Sequence, residues 1–232
     1  IKYIMTNEYI SVGLMSGTSG DGVDVSIIQS DGEKNYISIL DEYFKYNDDI
    51  FSSIHNLKEK NNSKKELTKY SDELKDLEKK ITFFHAKVVN KILEKNKHKI
   101  DLLGFHGQTI FHNSKEKISK QLGNGKLLSK ITKKKVVYDF RQNDLKNGGE
   151  GAPLTPIFHK LIFVQKKIKP PVIIINLGGI ANYTLIWQDK GIPPQNHLLS
   201  ADTGPGNCLI DQWIRKKTDM PYDKNGKIAK LG

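Results

Sequence analysis

Cysteine is almost missing: Cys208 stands alone among 232 residues, which excludes an internal disulfide and a cysteine-built metal cluster and suits a reducing cytoplasm. Arginine is nearly as scarce. Arg141 and Arg215 are the only two, although Lys and Arg together number 37 and the formal net charge is +11. Arginine is the usual residue for bidentate contacts to bases and phosphates, so the charge alone does not argue for nucleic acid. The lysines lie in stretches such as KEKNNSKKELTK (58–69) and KITKKK (130–135), without interleaved aromatics. A solvated, compositionally biased surface accounts for them, with weak attraction to polyanions as a by-product. Long apolar runs are also lacking, and none approaches the ~20 residues that a membrane-spanning helix needs. The opening IKYIMTNEYI has no secretory apolar stretch, so a cytoplasmic protein is expected. It begins with Ile1, which leaves Met5 as a start or residues further upstream.

What is present is enough for one large or two modest domains: 37% hydrophobic residues at a mean hydropathy of −0.50. Tyr9–Met15, Val23–Gln29 and Tyr36–Tyr46 read as a three-strand meander. Leu67, Tyr70, Leu74, Leu77, Ile81, Phe84 and Val88 recur at spacings of three and four and predict one long helix. IDLLGFHGQTIFH (100–112) predicts a strand running into a glycine-flanked turn, and KKVVYDF (134–140) another strand. A polar loop (141–153) and a helix opened by Pro153 and Pro156 follow. KKIKPP (166–171) marks the expected domain boundary, giving domains 1–168 and 169–232. Beyond it the opening pattern returns: two strands around Asn176-Leu177-Gly178-Gly179, a third at 196–200, the turn ADTGPGN (201–207) and a helix.

The bend between Val12 and Ile28, VGLMSGTSGDGVDVSII, carries the first chemical signal. It matches neither the Walker pattern nor the dinucleotide fingerprint, both of which lead into a helix. Here Gly22 leads into the β-branched run that starts at Val23. Backbone amides at such a bend can form a concave donor nest for phosphate, helped by the hydroxyls of Thr18 and Ser19. Asp21 and Asp24 would repel phosphate directly and serve it only through a hydrated Mg²⁺. The alternative is a plain connecting loop. In ADTGPGN, Asp202 sits where a strand is expected to end, before a helix whose first amides could meet an anion. Simple capping by Asp202 and Asn207 is the competing reading. His106 reads as a hydrogen-bonded structural histidine, and Cys208 as a small buried thiol. Glu150 is a second carboxylate that, with Asp202, raises a glycoside-hydrolase alternative. The phosphate-type bends speak against it.

These residues resemble the anhydro-N-acetylmuramic acid kinase family. The resemblance is carried by GLMSGTSGDGVDV (13–25), GFHGQTIFH (104–112), VVYDFRQNDLKNGGEGAPLTPIFH (136–159), INLGGIANYTLI (175–186) and ADTGPGNCLIDQWI (201–214), in family order. It implies an α/β, actin-like (ribonuclease-H-like) two-domain kinase fold, with mixed sheets and helices on both faces. It also implies the conversion of 1,6-anhydro-N-acetylmuramate, ATP and water to N-acetylmuramate 6-phosphate in cell-wall sugar recycling. By position, Gly17, Thr18, Ser19, Gly20, Asp21, Gly22, Val23 and Asp24, together with Gly178 and Gly179, would hold ATP with Mg²⁺. Asp202 would be the general base, and Arg141 and GGEGAP would line the sugar side. No residue is assigned as a direct metal ligand, and a homodimer is compatible with the sequence.

Two positions depart from the family pattern. Gly20 replaces a larger apolar residue, which would loosen the bend, and Asn124 stands where aspartate is usual. The resemblance further implies a second domain left incomplete at Gly232, with exposed apolar surface, an unpaired strand edge and little turnover by this chain alone. A non-catalytic sugar- or partner-binding remnant and a basic polyanion-binding protein are the alternative classes.

Overall fold

The computed structural model describes residues 8–188 and 196–231; Met5 lies outside them. Two compact units divide the chain between Leu154 and Thr155.

The first unit opens with the expected meander. Strands β1 (Tyr9–Ser16), β2 (Gly22–Ser30) and β3 (Tyr36–Lys45) pair antiparallel in sequence order. Their alternation drives Val12, Leu14, Val25 and Ile27 into the core, all at most 2% exposed. Helix α1 (Asp48–Lys60) follows, which is not among the elements expected from the sequence. Asn47 caps it by accepting from the Ile50 amide at 2.9 Å, and Ile50, Ile54 and Leu57 form its buried stripe. The long helix expected from the apolar stripe is two helices, α2 (Lys64–Lys69) and α3 (Ser71–Lys95), broken at Tyr70. Ser63 caps α2, its side chain accepting from the Glu66 amide, while the Glu66 side chain accepts from the Asn62 amide at 2.7 Å.

Strand β4 (Leu102–Asn113) pairs parallel with β1, then antiparallel with β5 (Ile118–Leu122). The predicted turn at Gly107 is instead a bulge. Leu14 pairs with Phe105 but Ser16 with Gln108, so β4 carries one residue more than β1 there, and the strand continues. Helix α4 (Gly125–Thr132) leads into β6 (Val136–Tyr138), which pairs parallel with β4. A short helix α5 (Gln142–Lys146) occupies part of the expected polar loop. The six-stranded sheet is therefore mixed, with the order β3-β2-β1-β4-β5 and β6 on β4.

The second unit starts with α6 (Pro156–Gln165), whose first residue is the proline expected there. It packs on an antiparallel sheet of β7 (Val172–Leu177), β8 (Ile180–Gln188) and β9 (Asn196–Pro205). Buried His159 joins the two through a 2.8 Å hydrogen bond between Nδ1 and Thr184 Oγ1. The opposite register of β7 is open: Ile173, Ile175 and Leu177 are 60–68% exposed. Among the described residues β7 has β8 as its only strand partner. Helix α7 (Cys208–Lys217) ends the regular structure, followed by two short 3₁₀ turns.

Candidate functional site

In the first unit, Gly17 to Asp21 form the bend between β1 and β2, with Gly22, Val23 and Asp24 already in β2. The Gly20 amide closes a tight turn onto the Gly17 carbonyl at 3.1 Å. Gly20 is buried with φ +64°, and a Cβ there would lie 2.8 Å from Ile54 Cγ2. Glycine therefore fits the bend tightly and does not loosen it, contrary to the expectation from the family pattern.

Beneath the bend lies a buried polar cluster. Ser16 Oγ is 2.7 Å from Tyr46 Oη, 2.8 Å from the Gly22 carbonyl and 2.9 Å from Gln108 Oε1. A hydroxyl has one proton, so Tyr46 donates to Ser16, whose own proton is shared between the two carbonyl-type oxygens. Gln108 Nε2 donates to the Gly17 carbonyl at 2.9 Å, and the Tyr46 amide to the Asp21 carbonyl at 2.9 Å. Lys58 Nζ donates to the Thr18 carbonyl. Burial raises the Tyr46 phenol well above its ordinary pKa, so it remains a donor. Among the described residues no acceptor meets the amides of Thr18 and Ser19, and both residues are exposed.

The two carboxylates of the bend differ. Asp21 accepts from Ser19 Oγ at 2.5 Å. Asp24, though exposed as a residue, has its pKa raised by partial desolvation and then by the Asp21 charge. Among the described residues no group of three or more His, Cys, Asp or Glu side chains is placed to hold a metal ion directly.

A second buried cluster lies further along β4 and its neighbours. His106, 8% exposed, has Nδ1 2.7 Å from the Gly107 carbonyl and accepts at Nε2 from Arg141 Nε at 3.0 Å. Arg141 also donates from Nη1 to the Gly151 carbonyl at 2.6 Å. Burial first, and Arg141 second, lower the His106 pKa to about 4. The structural role expected of His106 is therefore observed, and it bears directly on Arg141. Asp144 organises GGEGAP, accepting from the Gly151 amide at 2.7 Å, whereas Glu150 is exposed. Asn124 is the N-cap of α4, its Oδ1 accepting from the Leu127 amide at 2.9 Å. Asparagine and aspartate serve that role about equally, so the departure there is a conservative change of cap.

In the second unit, Gly178 and Gly179 connect β7 to β8, with Ile180 also lying between the last hairpin pair, Leu177 and Ala181. ADTGPGN is not a turn over its whole length: β9 runs through Asp202 to Pro205, and Asp202 is exposed inside a strand, opposite Asn182. The register shifts between Ala181 and Asn182, a bulge of the kind that re-aims side chains. The amides expected to meet an anion are partly spent within the chain. Gly206 donates to Gly179 at 2.9 Å, Asn207 to Gly178 at 2.8 Å and Cys208 to Gly179 at 3.2 Å. Asn207 makes no side-chain cap, and its Nδ2 donates instead to the Leu177 carbonyl at 3.1 Å. Cys208 is half-buried rather than buried. Asn182 Oδ1 is buried with no partner among the described residues.

Sequence reasoning missed Gln108, Tyr46, Lys58 and Asn182. Gln108 lay within a quoted motif, but its role depends on the parallel β1–β4 pairing, which no local pattern encodes.

A mixed six-stranded sheet flanked by helices, with a glycine bend joining its first two strands, is the α/β architecture of the actin-like sugar kinases. The chain belongs to the anhydro-N-acetylmuramic acid kinase family, whose model matches residues 8–232. It is 55% identical over 228 residues to the anhydro-N-acetylmuramic acid kinase of Pelagibacter ubique, covering 98% of this chain and 60% of the relative. The enzyme of the same name from Agrobacterium fabrum is 36% identical over 227 residues, covering 96% and 59%. That from Zymomonas mobilis is 39% identical over 233 residues, covering 96% and 60%. The chain thus spans about 60% of the length of these curated relatives.

Proposed function

We propose that this chain carries the phosphate bend and general base of a kinase acting on 1,6-anhydro-N-acetylmuramate. One observation carries the reading: in a chain of this family, the exposed residues Thr18 and Ser19 have amides that meet no acceptor among the described residues, above the buried Ser16, Tyr46 and Gln108. Such amides suit the polyphosphate of ATP. Gly17 to Asp24 would hold it, with Gly178 and Gly179 as the second glycine turn, and Asp21 and Asp24 would take Mg²⁺ through water. The metal's contribution would be charge neutralisation on the phosphates.

Asp202 would remove a proton from water as the water oxygen bonds to the anomeric carbon. The pair of the breaking carbon–O6 bond passes to O6. O6 then attacks the γ-phosphorus, and ADP leaves. Arg141, held by His106 and the Gly151 carbonyl, would face the sugar. Scarce cysteine supports a cytoplasmic setting. The test is incubation of the 232-residue chain with MgATP and 1,6-anhydro-N-acetylmuramate. Little turnover, but sugar-dependent formation of ADP and a 6-phosphorylated sugar with ¹⁸O from water at the anomeric position, is expected. ATP hydrolysis indifferent to the sugar would reject the reading.

A further inference from the structure

The carbonyls of Gly17 and Thr18, which precede the two amides of the bend, are both taken by donors from the supporting structure. Across each planar peptide the C=O of one residue and the N–H of the next point in opposite directions. Whatever captures the Gly17 carbonyl therefore sets the direction of the Thr18 amide. Two donors fill that carbonyl: the Gly20 amide at 3.1 Å and Gln108 Nε2 at 2.9 Å. The next carbonyl, of Thr18, is taken by Lys58 Nζ, which sets the Ser19 amide in the same way.

Gln108 is fully buried and anchored at its other end, where Oε1 accepts from Ser16 Oγ at 2.9 Å. Its side chain cannot swing away without stranding buried polar atoms. The β4 bulge at Gly107, φ +72°, brings Gln108 into register with Ser16. An unrestrained glycine bend samples both orientations of such a peptide, and the flipped one would offer a carbonyl dipole that repels phosphate.

We propose that Gln108 is the positioning residue of the bend: by holding the Gly17 carbonyl inward it turns the Thr18 amide outward, toward an oligophosphate. This deepens the kinase reading and rests on it. Gln108 touches neither nucleotide nor sugar. It acts through the peptide that it fixes.

The test uses the ¹⁵N-labelled 232-residue chain, with MgATP and inorganic tripolyphosphate as separate probes. Without ligand, a Gln108 Nε2 proton is expected to exchange slowly with solvent, and its rapid exchange would overturn the proposal. On titration, the Thr18 and Ser19 amides should shift. In Gln108→Met, which keeps the length but loses both polar ends, tripolyphosphate should bind at least tenfold more weakly and the Thr18 shift should vanish. Gln108→Glu keeps the acceptor for Ser16, loses the donor, and should behave alike. A merely structural Gln108 would lower the melting temperature but leave the saturated Thr18 shift intact, and that result overturns the proposal. A wild-type chain silent to both probes would instead reject the phosphate reading itself, and with it the assignment of this amide to an anion. If neither variant folds, the wild-type exchange rate decides.

Discussion

Arg141 Nε donates to His106 Nε2 at 3.0 Å, and this single contact fixes the charge of a buried histidine. A guanidinium can only donate, so Nε2 must keep its lone pair and the proton sits on Nδ1, which donates to the Gly107 carbonyl. Protonating the ring would set two cations together inside the fold.

Stability should therefore depend on pH. His106 has a folded pKa of about 4, lowered chiefly by burial, and fully buried His85 is likewise lowered to about 4 by desolvation. In the unfolded chain both titrate near 6.5, so between these values the unfolded state binds more protons. Their contribution is complete above pH ~6.5 and is lost as pH falls toward ~4. The loss is on the order of 3 kcal/mol for one such histidine. Urea unfolding across this window should show stability falling with acid, and a flat profile would contradict the assigned protonation states.

At the start of α4, Asn124→Asp should change stability by less than ~0.5 kcal/mol, since both residues cap well. Asn124→Ala should cost about 1 kcal/mol. Comparable loss in both variants would mean that the amide does something other than cap.

The hairpin and α7 meet at Gly206, where a Cβ would lie 2.2 Å from the Gly178 carbonyl oxygen. Gly206→Ala should therefore destabilise the second unit by ~1–3 kcal/mol. It should also speed hydrogen exchange at the Asn207 and Cys208 amides, which bond to that turn. Unchanged exchange would show that the close approach is not maintained in solution.

Asp202 is exposed on β9, so Asp202→Asn should leave the melting temperature nearly unchanged. Formation of phosphorylated sugar should fall ~10²–10⁴-fold, the usual worth of a positioned base. Full activity in this variant would remove Asp202 from the chemistry.

Much of the fold was readable because period and punctuation are local. The alternation of β1 to β3, the stripe from Leu74 to Val88 and the proline at the start of α6 all appear where the pattern put them. Helix α1 went unread, although Asn47 and the spacing of Ile50, Ile54 and Leu57 were available as signals. The break at Tyr70 was masked because the apolar stripe runs through it and no side chain caps the start of α3 there. At ADTGPGN, glycine and proline suggested a turn where β9 persists, since pairing with β8 overrides local turn preference.

By itself the sequence determined the family, the strands around each glycine bend and the candidate carboxylates, because these depend on residue type and near-neighbour spacing. Only the tertiary structure decided which carbonyls the bend hides, which histidine holds Arg141 and which amides of α7 are already engaged. Each of those outcomes depends on a partner distant in sequence, such as Gln108 for Gly17 or His106 for Arg141, whose approach is set by strand register and a bulge. Hydrogen bonding is directional and short-ranged, so a composition that offers many donors cannot specify which acceptor each one meets until the backbone has placed them.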